Sequence, residues 1–270
     1  MNQEWVVNGE NIMNTDLEIY IENMKKPWNV LFYRVVWEQL SQIVNSRILD
    51  FGSGLGITAN HLAKNNDVLA IERNSDMVEM RICENSYQQI IGDIEQLRMQ
   101  EGKSFDAVVC HNVLEYAEER RDIFKELYRV LKPNGLMSVI KHNHIGRIMS
   151  KVVFENELDE AIMLLNGRAS NAAYFGPINY YSINDIREWI GCLDINIEKV
   201  LGIRTFFALN PNNDIRYNPI WQEKMFEIEM KVSDIDEYKH ISFYNHILLR
   251  KSSLSTAKTT LHSKFDARSS

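Results

Sequence analysis

Glycines that follow an apolar segment form the strongest chemical pattern in the sequence. In ILDFGSGLG, the residues Asp50, Gly52, Gly54 and Gly56 give D-x-G-x-G-x-G. Glycine permits a sharp turn and places no Cβ between the backbone and a ligand, so a bound molecule can lie against such a loop. A dinucleotide fingerprint, G-x-G-x-x-G, would need glycine at Ile57. The loop therefore favours a ligand without a pyrophosphate, although G-x-G alone is also common in ordinary tight turns.

Two acidic residues end the next two apolar segments. Glu72 ends DVLAIE, 20 positions after Gly52, and Asp93 ends QQIIGD. A carboxylate at the first position can accept hydrogen bonds from both ribose hydroxyls of an adenosine-containing ligand. Asp93 can accept from the adenine amino group, and the backbone N–H of Ile94 can donate to a ring nitrogen. Either acid alone would be an ordinary strand-end or turn residue, whereas the combination favours an adenosine site.

The elements that position these residues alternate between strands and helices. The segments that predict strands are 47–51, 67–72, 88–93, 105–110, 136–140, 195–203 and 241–250. This alternation predicts a doubly wound α/β domain, a parallel sheet with helices on both faces. Ligands bind in such folds at the carboxyl edge of the sheet. The glycine loop, Glu72 and Asp93 all follow predicted strands, so the topology brings them to that edge.

Helical patterns occupy most of the remaining chain. Residues 17–45 predict one or two helices with an apolar face formed by Leu31, Phe32, Val35, Val36, Leu40 and Val44. Four further helices are predicted over 57–66, over 75–86 with Ser75 as the N-cap, over 119–135, and over 182–193 with Ser182 as the N-cap.

Three regions are expected along the chain: a helical cap over 1–45, the α/β domain over 46–250, and a disordered tail over 251–270 that is rich in Ser, Thr and Lys. Two insertions are expected within the domain, over 142–180 and 204–240. The first contains a helical pattern over 141–165 and a loop pattern over 166–181, and we expect it to cover the site.

Composition excludes several classes of function. The chain has 270 residues, a formal net charge of −7 and a sequence pI near 5.6, which disfavours broad binding to nucleic acid or to an anionic membrane. Cys83, Cys110 and Cys192 lack paired metal-ligand spacing, so we expect buried free thiols and neither a disulfide framework nor a metal site. No apolar run approaches the ~20 residues that span a bilayer. A soluble, cytoplasmic protein is expected.

The chain resembles the class I, seven-stranded S-adenosylmethionine-dependent methyltransferases from about residue 45 to about residue 250. The matching segments, in family order, are ILDFGSGLG, AIERNSDMVE, IIGDIEQL, FDAVVCHNVLEY and LKPNGLMSVI. HNVLEY, KHNHIGRIMSKVVFEN and GIRTFF resemble more closely the subgroup of the tRNA carboxymethoxyuridine carboxyl methyltransferase. The resemblance implies a Rossmann-like, mainly parallel sheet with a helical insertion after strand five, and S-adenosylmethionine as cofactor.

The resemblance also implies roles for individual residues. The implied cofactor-binding set is Asp50, Gly52, Ser53, Gly54, Gly56, Glu72, Arg73, Asp93, Ile94 and His111. His111, which begins HNVLEY, would lie near the sulfonium and is the catalytic candidate. The subgroup uses an arginine from its N-terminal helix to bind the cofactor, but Phe32 stands at that position here. Arg34, two residues on, could take its place.

The acceptor is open between several possibilities. Methyl transfer from a sulfonium is an in-line displacement that mainly requires alignment and exclusion of water. A carboxylate acceptor needs no base, whereas a hydroxyl acceptor would use His111, His142 or His144. Arg147 and Arg204 could pair with an acidic group of the substrate, or could be surface charges, as could the two histidines of KHNHIG.

Three functions therefore compete. A small-molecule acceptor fits the acidic composition and the aromatic segment AAYFGPINYY, and the transfer would be to a carboxylate or hydroxyl oxygen. A tRNA wobble uridine fits the subgroup resemblance, but no phosphate-binding basic patch is evident. A cofactor-binding module without transferase activity is the non-enzymatic alternative.

Overall fold

A seven-stranded sheet forms the centre of the molecule. The computed structural model describes residues 15–168, 170–172 and 175–253. Its strands are β1 (Arg47–Phe51), β2 (Asp67–Glu72), β3 (Gln88–Ile91), β4 (Phe105–His111), β5 (Leu131–His142), β6 (Ser170–Ala172), β7 (Gly176–Ile178), β8 (Ile195–Ile203) and β9 (Tyr244–Lys251). The sheet order is β3-β2-β1-β4-β5-β9-β8. Strands β1 to β5 pair in parallel, and β9 is antiparallel to both of its neighbours. The predicted Rossmann-like α/β fold is confirmed.

The helices are mostly short and lie on both faces of the sheet. They are α1 (Thr15–Met24), α2 (Pro27–Gln39), α3 (Ile57–Leu62), α4 (Ser75–Glu79), α5 (Ile94–Arg98), α6 (Arg120–Val130), α7 (His144–Ser150), α8 (Leu158–Leu165), α9 (Ile183–Ile190), α10 (Pro219–Val232) and α11 (Asp236–Lys239). A π-helical turn, Lys151–Glu155, follows α7, and 3-10 turns occupy Phe207–Leu209 and Asp214–Tyr217.

Two apolar layers hold the helices to the sheet. On one face, α6 and α9 contribute Phe124, Leu127 and Ile186, which pack against the strands. On the other face, α2 contributes Val35 and Val36, and α3 and α10 pack beside it. Burial of these side chains stabilises the fold by roughly 1.5–3 kcal/mol for each large aliphatic residue. Both faces of the parallel strands are thereby covered.

Several sequence predictions need correction at the ends of elements. Ser75 is not the N-cap of α4, because the Asn74 side chain accepts hydrogen bonds from the N–H groups of Asp76 and Met77 at 2.9 and 3.3 Å. That helix ends at Glu79, well short of the predicted segment. Strand β5 begins at Leu131, where a bulge lets it pair with Phe105, so α6 ends at Val130. The Ser182 cap of α9 is confirmed as a capping box.

Two predictions of burial were wrong. Val44 was expected on the apolar face of the N-terminal helices, but α2 ends at Gln39 and the Val44 side chain is 48% exposed. Cys110 is buried as expected, whereas Cys83 and Cys192 are exposed, because they lie after α4 and α9 rather than within strands.

The segment after β5 is mainly helical, as predicted. It contains α7, the π-helical turn and α8. The predicted loop over 166–181 includes a small antiparallel ribbon, β6–β7, within its described part. Most of the predicted tail, 254–270, lies outside the described residues, as does 1–14. Within the described part of the chain, no helix has the length and apolar character needed to cross a membrane.

Candidate active site

One cavity of about 680 Å³ opens at the carboxyl edge of the parallel strands. The loops after β1, β2, β3 and β4 line one side of it, and α1, the end of β5 and the start of β9 line the other. The volume falls within the range of small-molecule and cofactor sites. Strand β4 separates two parts, which we call the glycine half (the ends of β1, β2 and β3) and the aromatic half (Tyr20, Tyr116, His142, Phe175 and Tyr244).

Left-handed backbone conformations shape the loop after β1. Gly52 has a φ of 74° and Gly56 a φ of 71°, a region that residues with a Cβ rarely adopt. A Cβ on Gly52 would lie 2.3 Å from Val113 Cγ2, and a Cβ on Gly56 would lie 2.0 Å from the Tyr87 hydroxyl. Gly54 differs, because the nearest atom to its Cβ position is 3.8 Å away. The first and third glycines are therefore required by the protein's own packing.

Glu72 ties the glycine loop to the end of β2. Its carboxylate accepts hydrogen bonds from the N–H of Gly54 at 2.8 Å and from the N–H of Asn74 at 2.9 Å. The residue is buried. Each carboxylate oxygen has a second acceptor site, so ligand hydroxyls can bind the same group without loss of these contacts.

Gln89, on β3, supports the same loop and was missed by the sequence analysis. Its Nε2 donates to the Ser53 hydroxyl and to the Gly54 carbonyl oxygen, both at 2.9 Å. No local signal marks this residue, because a glutamine in a strand ordinarily faces solvent. The loop conformation is therefore maintained by side chains from both β2 and β3.

Asp50 is a buried acid at the base of the glycine half. Burial and the neighbouring Glu72 carboxylate raise its pKa to about 7, and its Oδ2 has no hydrogen-bond partner among the described residues. An orphaned buried carboxylate oxygen costs free energy unless a donor or a cation binds it.

The loop after β3 places Asp93 and Ile94 on the rim of the cavity. Asp93 is the N-cap of α5, and its Oδ1 accepts from the Glu95 N–H at 2.9 Å. Arg73, at the end of β2, is exposed and also lines the cavity. The predicted residues Asp50, Gly52, Ser53, Gly54, Glu72, Arg73, Asp93 and Ile94 thus surround one space, whereas Gly56 does not line it.

His111 ends β4 between the two halves. Its Nε2 lies 2.7 Å from the Ser138 hydroxyl, and its Nδ1 is buried without a partner among the described residues. Burial, and secondarily His246, hold the pKa of His111 well below its usual range, so the ring is neutral. The next residue, Asn112, has a left-handed backbone and a buried Oδ1 that finds no hydrogen-bond partner in the described part of the chain.

Aromatic side chains from distant segments form the aromatic half. Tyr20 of α1 and Tyr116 each pack against Phe175, with ring centroids 5.6 and 5.5 Å apart. The Tyr116 hydroxyl lies 3.1 Å from His142 Nε2, and the His142 ring packs against Tyr244 with centroids 4.8 Å apart. Burial, with nearby cationic side chains, lowers the pKa of His142 to about 3, so this histidine is also neutral.

Beneath His142 lies a second buried acid, Glu115, which is 1% exposed. It accepts from the His142 backbone N–H at 3.2 Å, and burial raises its pKa to about 7. Its position in HNVLEY gives no indication of this environment.

Three predicted substrate residues lie outside this cavity. His144 packs against Tyr180 and lines a separate depression. Arg147 pairs with Glu155 at 3.1 Å. Arg204 is buried against Phe243 with its Nε unpartnered among the described residues. His111 and His142 are the two candidate histidines that the fold brings together.

The expected substitute for the missing arginine also lies elsewhere. Phe32 lines the cavity, but Arg34 makes a bidentate pair with Glu223 of α10, both distances being 2.9 Å. Arg34 packs over the Phe226 ring. The described residues show no group of three His, Cys, Asp or Glu side chains arranged for a metal ion.

Comparisons with known proteins agree with this fold and edge. Residues 49–139 match the family model described as a methyltransferase domain. The tRNA 5-carboxymethoxyuridine methyltransferase of Escherichia coli K12 is 26% identical over 136 residues, 45% of this chain and 52% of that protein. The mitochondrial ubiquinone biosynthesis O-methyltransferase of Schizosaccharomyces pombe is 26% identical over 138 residues, 47% of this chain and 50% of that protein. The Aspergillus fumigatus sterol 24-C-methyltransferase erg6 is 30% identical over 102 residues, 34% of this chain and 27% of that protein.

The chain thus spans about half or less of the length of these curated relatives. Among solved structures, an S-adenosylmethionine-dependent methyltransferase from Thermotoga maritima superposes with a TM-score of 0.56 and 16% identity, over 89% of this chain and 100% of that one. One from Mesorhizobium loti gives 0.51 and 15%, over 80% and 98%. Residues 49–139 are therefore similar to a methyltransferase domain, and the fold is that of the solved S-adenosylmethionine-dependent methyltransferases.

Proposed function

We propose that the protein transfers a methyl group from S-adenosylmethionine to an oxygen atom of a small-molecule acceptor. The observation behind this proposal is the charge of the cavity. Its described lining contains five carboxylates, from Asp50, Glu72, Asp93, Glu118 and Glu119, and Arg73 as the single cationic side chain. Such a cavity favours a cationic cofactor and a neutral acceptor, and it disfavours a polyanion.

The glycine half fits the cofactor. Gly54 has space beside it, and the Glu72 carboxylate next to it would accept hydrogen bonds from the ribose hydroxyls. Asp93 and the Ile94 N–H would hold the adenine. Asp50 Oδ2, which is unpartnered among the described residues, lies on the side of the cavity that would receive the amino and sulfonium groups. A cationic group bound there would lower the raised pKa of Asp50 and favour its ionised form. When bound, the cofactor supplies an electrophilic methyl group and leaves as a neutral thioether.

The aromatic half fits an apolar or planar acceptor. Tyr20, Phe175 and Tyr116 enclose it, and His142 lies neutral beside Tyr244. Exclusion of water by these rings would protect the transfer, and the rings would align the acceptor oxygen with the methyl group. His111, between the halves, would be the group nearest both reactants.

A tRNA wobble uridine is the second candidate, because the Escherichia coli tRNA 5-carboxymethoxyuridine methyltransferase is among the relatives. A carboxylate on that uridine would need a cationic partner. Arg147 pairs with Glu155, Arg204 packs against Phe243, and neither lines the cavity, so the small molecule is preferred.

Labelled cofactor distinguishes these possibilities. The protein is incubated with S-adenosylmethionine labelled in the methyl group and with either total tRNA or a metabolite extract, each from cells in which the gene for the chain has been deleted. We expect label in the metabolite fraction. Label in tRNA would establish the second candidate instead, and label in neither fraction, despite cofactor binding by calorimetry, would indicate a binding module. The Glu72→Ala variant serves as the blank in both arms.

A further inference from the structure

Helix α8 exposes apolar side chains of a kind that a folded chain ordinarily buries. Six of its eight residues are apolar, yet only Ala161 and Leu164 are buried. Leu158, Ile162 and Leu165, which we call the α8 stripe, are 54, 55 and 68% exposed. Their spacing of i, i+4 and i+7 places them on one side of the helix. A helix that is apolar on all sides is normally buried, which indicates that the α8 stripe has a partner.

The elements before α8 add to this apolar surface. The π-helical turn packs against α8, and its Val152 and Val153 side chains are exposed. Ile145 is exposed on α7, which also packs against α8. The segment after β5 therefore exposes more apolar surface than α8 alone.

Opposite charges lie at the two ends of the α8 stripe. Asp159 is in the first turn of the helix, and Arg168 follows its last turn. Both residues are exposed, and neither has an ion-pair partner among the residues that the structure describes. The nearby acids Glu157 and Glu160 differ in this respect, because both pair with Lys151. One acid and one base thus remain available at opposite ends of the same apolar stripe.

This arrangement of charge favours a second copy of the chain as the partner. When two α8 helices pack antiparallel about a two-fold axis, each stripe covers the other, and Asp159 lies at the same end as Arg168 of the partner subunit. A parallel pair would place like charges together instead. A bilayer would cover the stripe, but it would leave Asp159 without a partner, and anionic lipids would repel the acidic end of α8.

We propose that the protein forms a two-fold symmetric dimer by antiparallel packing of α8, with Leu158, Ile162 and Leu165 at the centre and Asp159–Arg168 ion pairs at both ends. This surface lies outside the cavity, so the dimer does not depend on the proposed function. Because α8 is only about 12 Å long, the interface is at the small end of the range for specific complexes, and we expect a dissociation constant of micromolar order.

Sedimentation velocity of the full chain, from about 1 to about 100 μM, measures the dimer. The sedimentation coefficient should rise with concentration. Ile162→Lys places a charge at the centre of both stripes and should weaken dimerisation by about tenfold or more. Ile220→Lys is the matched control, because Ile220 is similarly exposed on α10, and it should leave the dissociation constant unchanged. A chain that stays monomeric, or a dimer that Ile162→Lys does not weaken, would overturn the proposal.

An exchange of charges tests the antiparallel arrangement. Asp159→Arg and Arg168→Asp each place like charges at both ends of the interface, so each should weaken the dimer by roughly three- to tenfold. The double variant restores opposite charges and should bind within about threefold of wild type. Both positions are exposed, so an unchanged melting temperature is expected for each variant. Single variants without effect, or a double variant as weak as the single ones, would contradict the antiparallel arrangement.

Other partners for the α8 stripe give different results. The full chain is mixed with phosphatidylcholine vesicles and centrifuged through a density gradient. A dimer that stays out of the vesicle fraction supports the proposal. A monomer that floats with the vesicles, and no longer does so as Ile162→Lys, would replace the dimer by a lipid surface. Species larger than a dimer in the sedimentation experiment would contradict a closed two-fold interface.

Discussion

The two halves of the cavity are built in different ways. In the glycine half, backbone N–H groups and carbonyl oxygens of the loop are held by Glu72 and Gln89, from strands that neighbour it in the sheet and lie within 36 positions of it. In the aromatic half, Tyr20, Phe175 and Tyr244 come from α1, from beside the β6–β7 ribbon and from β9. The glycine half is formed by residues that are close in the sequence, whereas the aromatic half is formed by residues from distant parts of the chain.

This difference indicates where substitutions could change acceptor specificity. Under the proposed function, backbone groups and a carboxylate would recognise the constant parts of the cofactor, and substitutions near them would disturb the loop itself. Ring packing in the aromatic half can be altered without changing the glycine loop. Cofactor affinity and acceptor use should therefore be separable by mutation, which the following predictions test in order of decreasing expected effect.

One buried acid with a raised pKa, Asp50, lies in the glycine half and another, Glu115, lies beneath the aromatic half; removing these acids should have the largest effect. The pKa of Asp50 is about 7 in the folded chain against 3.8 as its ordinary value, so the folded state retains a proton that the unfolded state releases. Stability contributed by this proton is present below pH 4 and is lost as the pH rises to about 7, by at most about 1.4 kcal/mol per pH unit. Asp50→Asn should therefore be more stable than wild type at pH 8 by up to roughly 4 kcal/mol, and similar to it at pH 4.

Chemical denaturation at several pH values measures this difference. Glu115→Gln is the matched variant beneath the aromatic half and should show the same sign, because burial raises the pKa of Glu115 to about 7 as well. A pH profile of stability that is unchanged by Asp50→Asn would contradict the assignment of a protonated acid beneath the glycine loop.

Glu72→Ala should reduce the affinity for S-adenosylmethionine by about 100-fold, or about 2.7 kcal/mol. The variant loses an acceptor for ribose and leaves the N–H groups of Gly54 and Asn74 without their partner. Calorimetric titration gives the value. Glu79→Ala, an exposed acid on the adjacent helix α4, is the control and should bind as wild type does. Unchanged affinity in Glu72→Ala would remove this residue from the cofactor site.

Gly52→Ala and Gly54→Ala should separate packing from ligand contact within the glycine half. The first places a Cβ 2.3 Å from Val113 in a left-handed conformation, and we expect a loss of about 2–3 kcal/mol in the free energy of unfolding. In the second, no atom of the described residues lies closer than 3.8 Å to the added Cβ, so a loss of about 1 kcal/mol is expected from backbone strain alone. Urea denaturation measures the free energy of unfolding of both variants. Equal losses in the two variants would contradict this distinction.

Phe175→Ala should affect the aromatic half alone. Removing a ring that packs against Tyr20 and Tyr116 opens the enclosure, and we expect roughly a fivefold lower transfer of label to the metabolite extract, about 1 kcal/mol. Cofactor affinity should stay within twofold of wild type. Ile220→Ala, with a side chain that is 69% exposed on α10, is the control. A parallel loss of cofactor affinity would show that the halves are not independent.

The sequence by itself determined the fold class, and it predicted that the glycine loop, Glu72 and Asp93 meet at the carboxyl edge of the sheet, where we propose the site. These follow from patterns that are local, since a strand that ends in glycines or an acid places its last residues at one edge whatever the rest of the chain does. The end of α2, the Asn74 cap and the exposed cysteines were missed, because they depend on which of several local hydrogen bonds or packings is the most favourable.

Only the tertiary structure decided the aromatic half and the buried hydrogen bonds behind His111. His246 and Gln39 are 207 positions apart, and His246 and Ser138 are 108 apart, yet each pair is joined at 2.7 Å. The spacing of apolar residues in a sequence does not indicate which residues of distant strands lie next to each other. Register and helix packing determine this, and they also placed Arg147 and Arg204 outside the lining of the cavity. A buried polar group destabilises the fold unless neighbouring atoms satisfy its hydrogen bonds. Which atoms are its neighbours is decided by the tertiary structure.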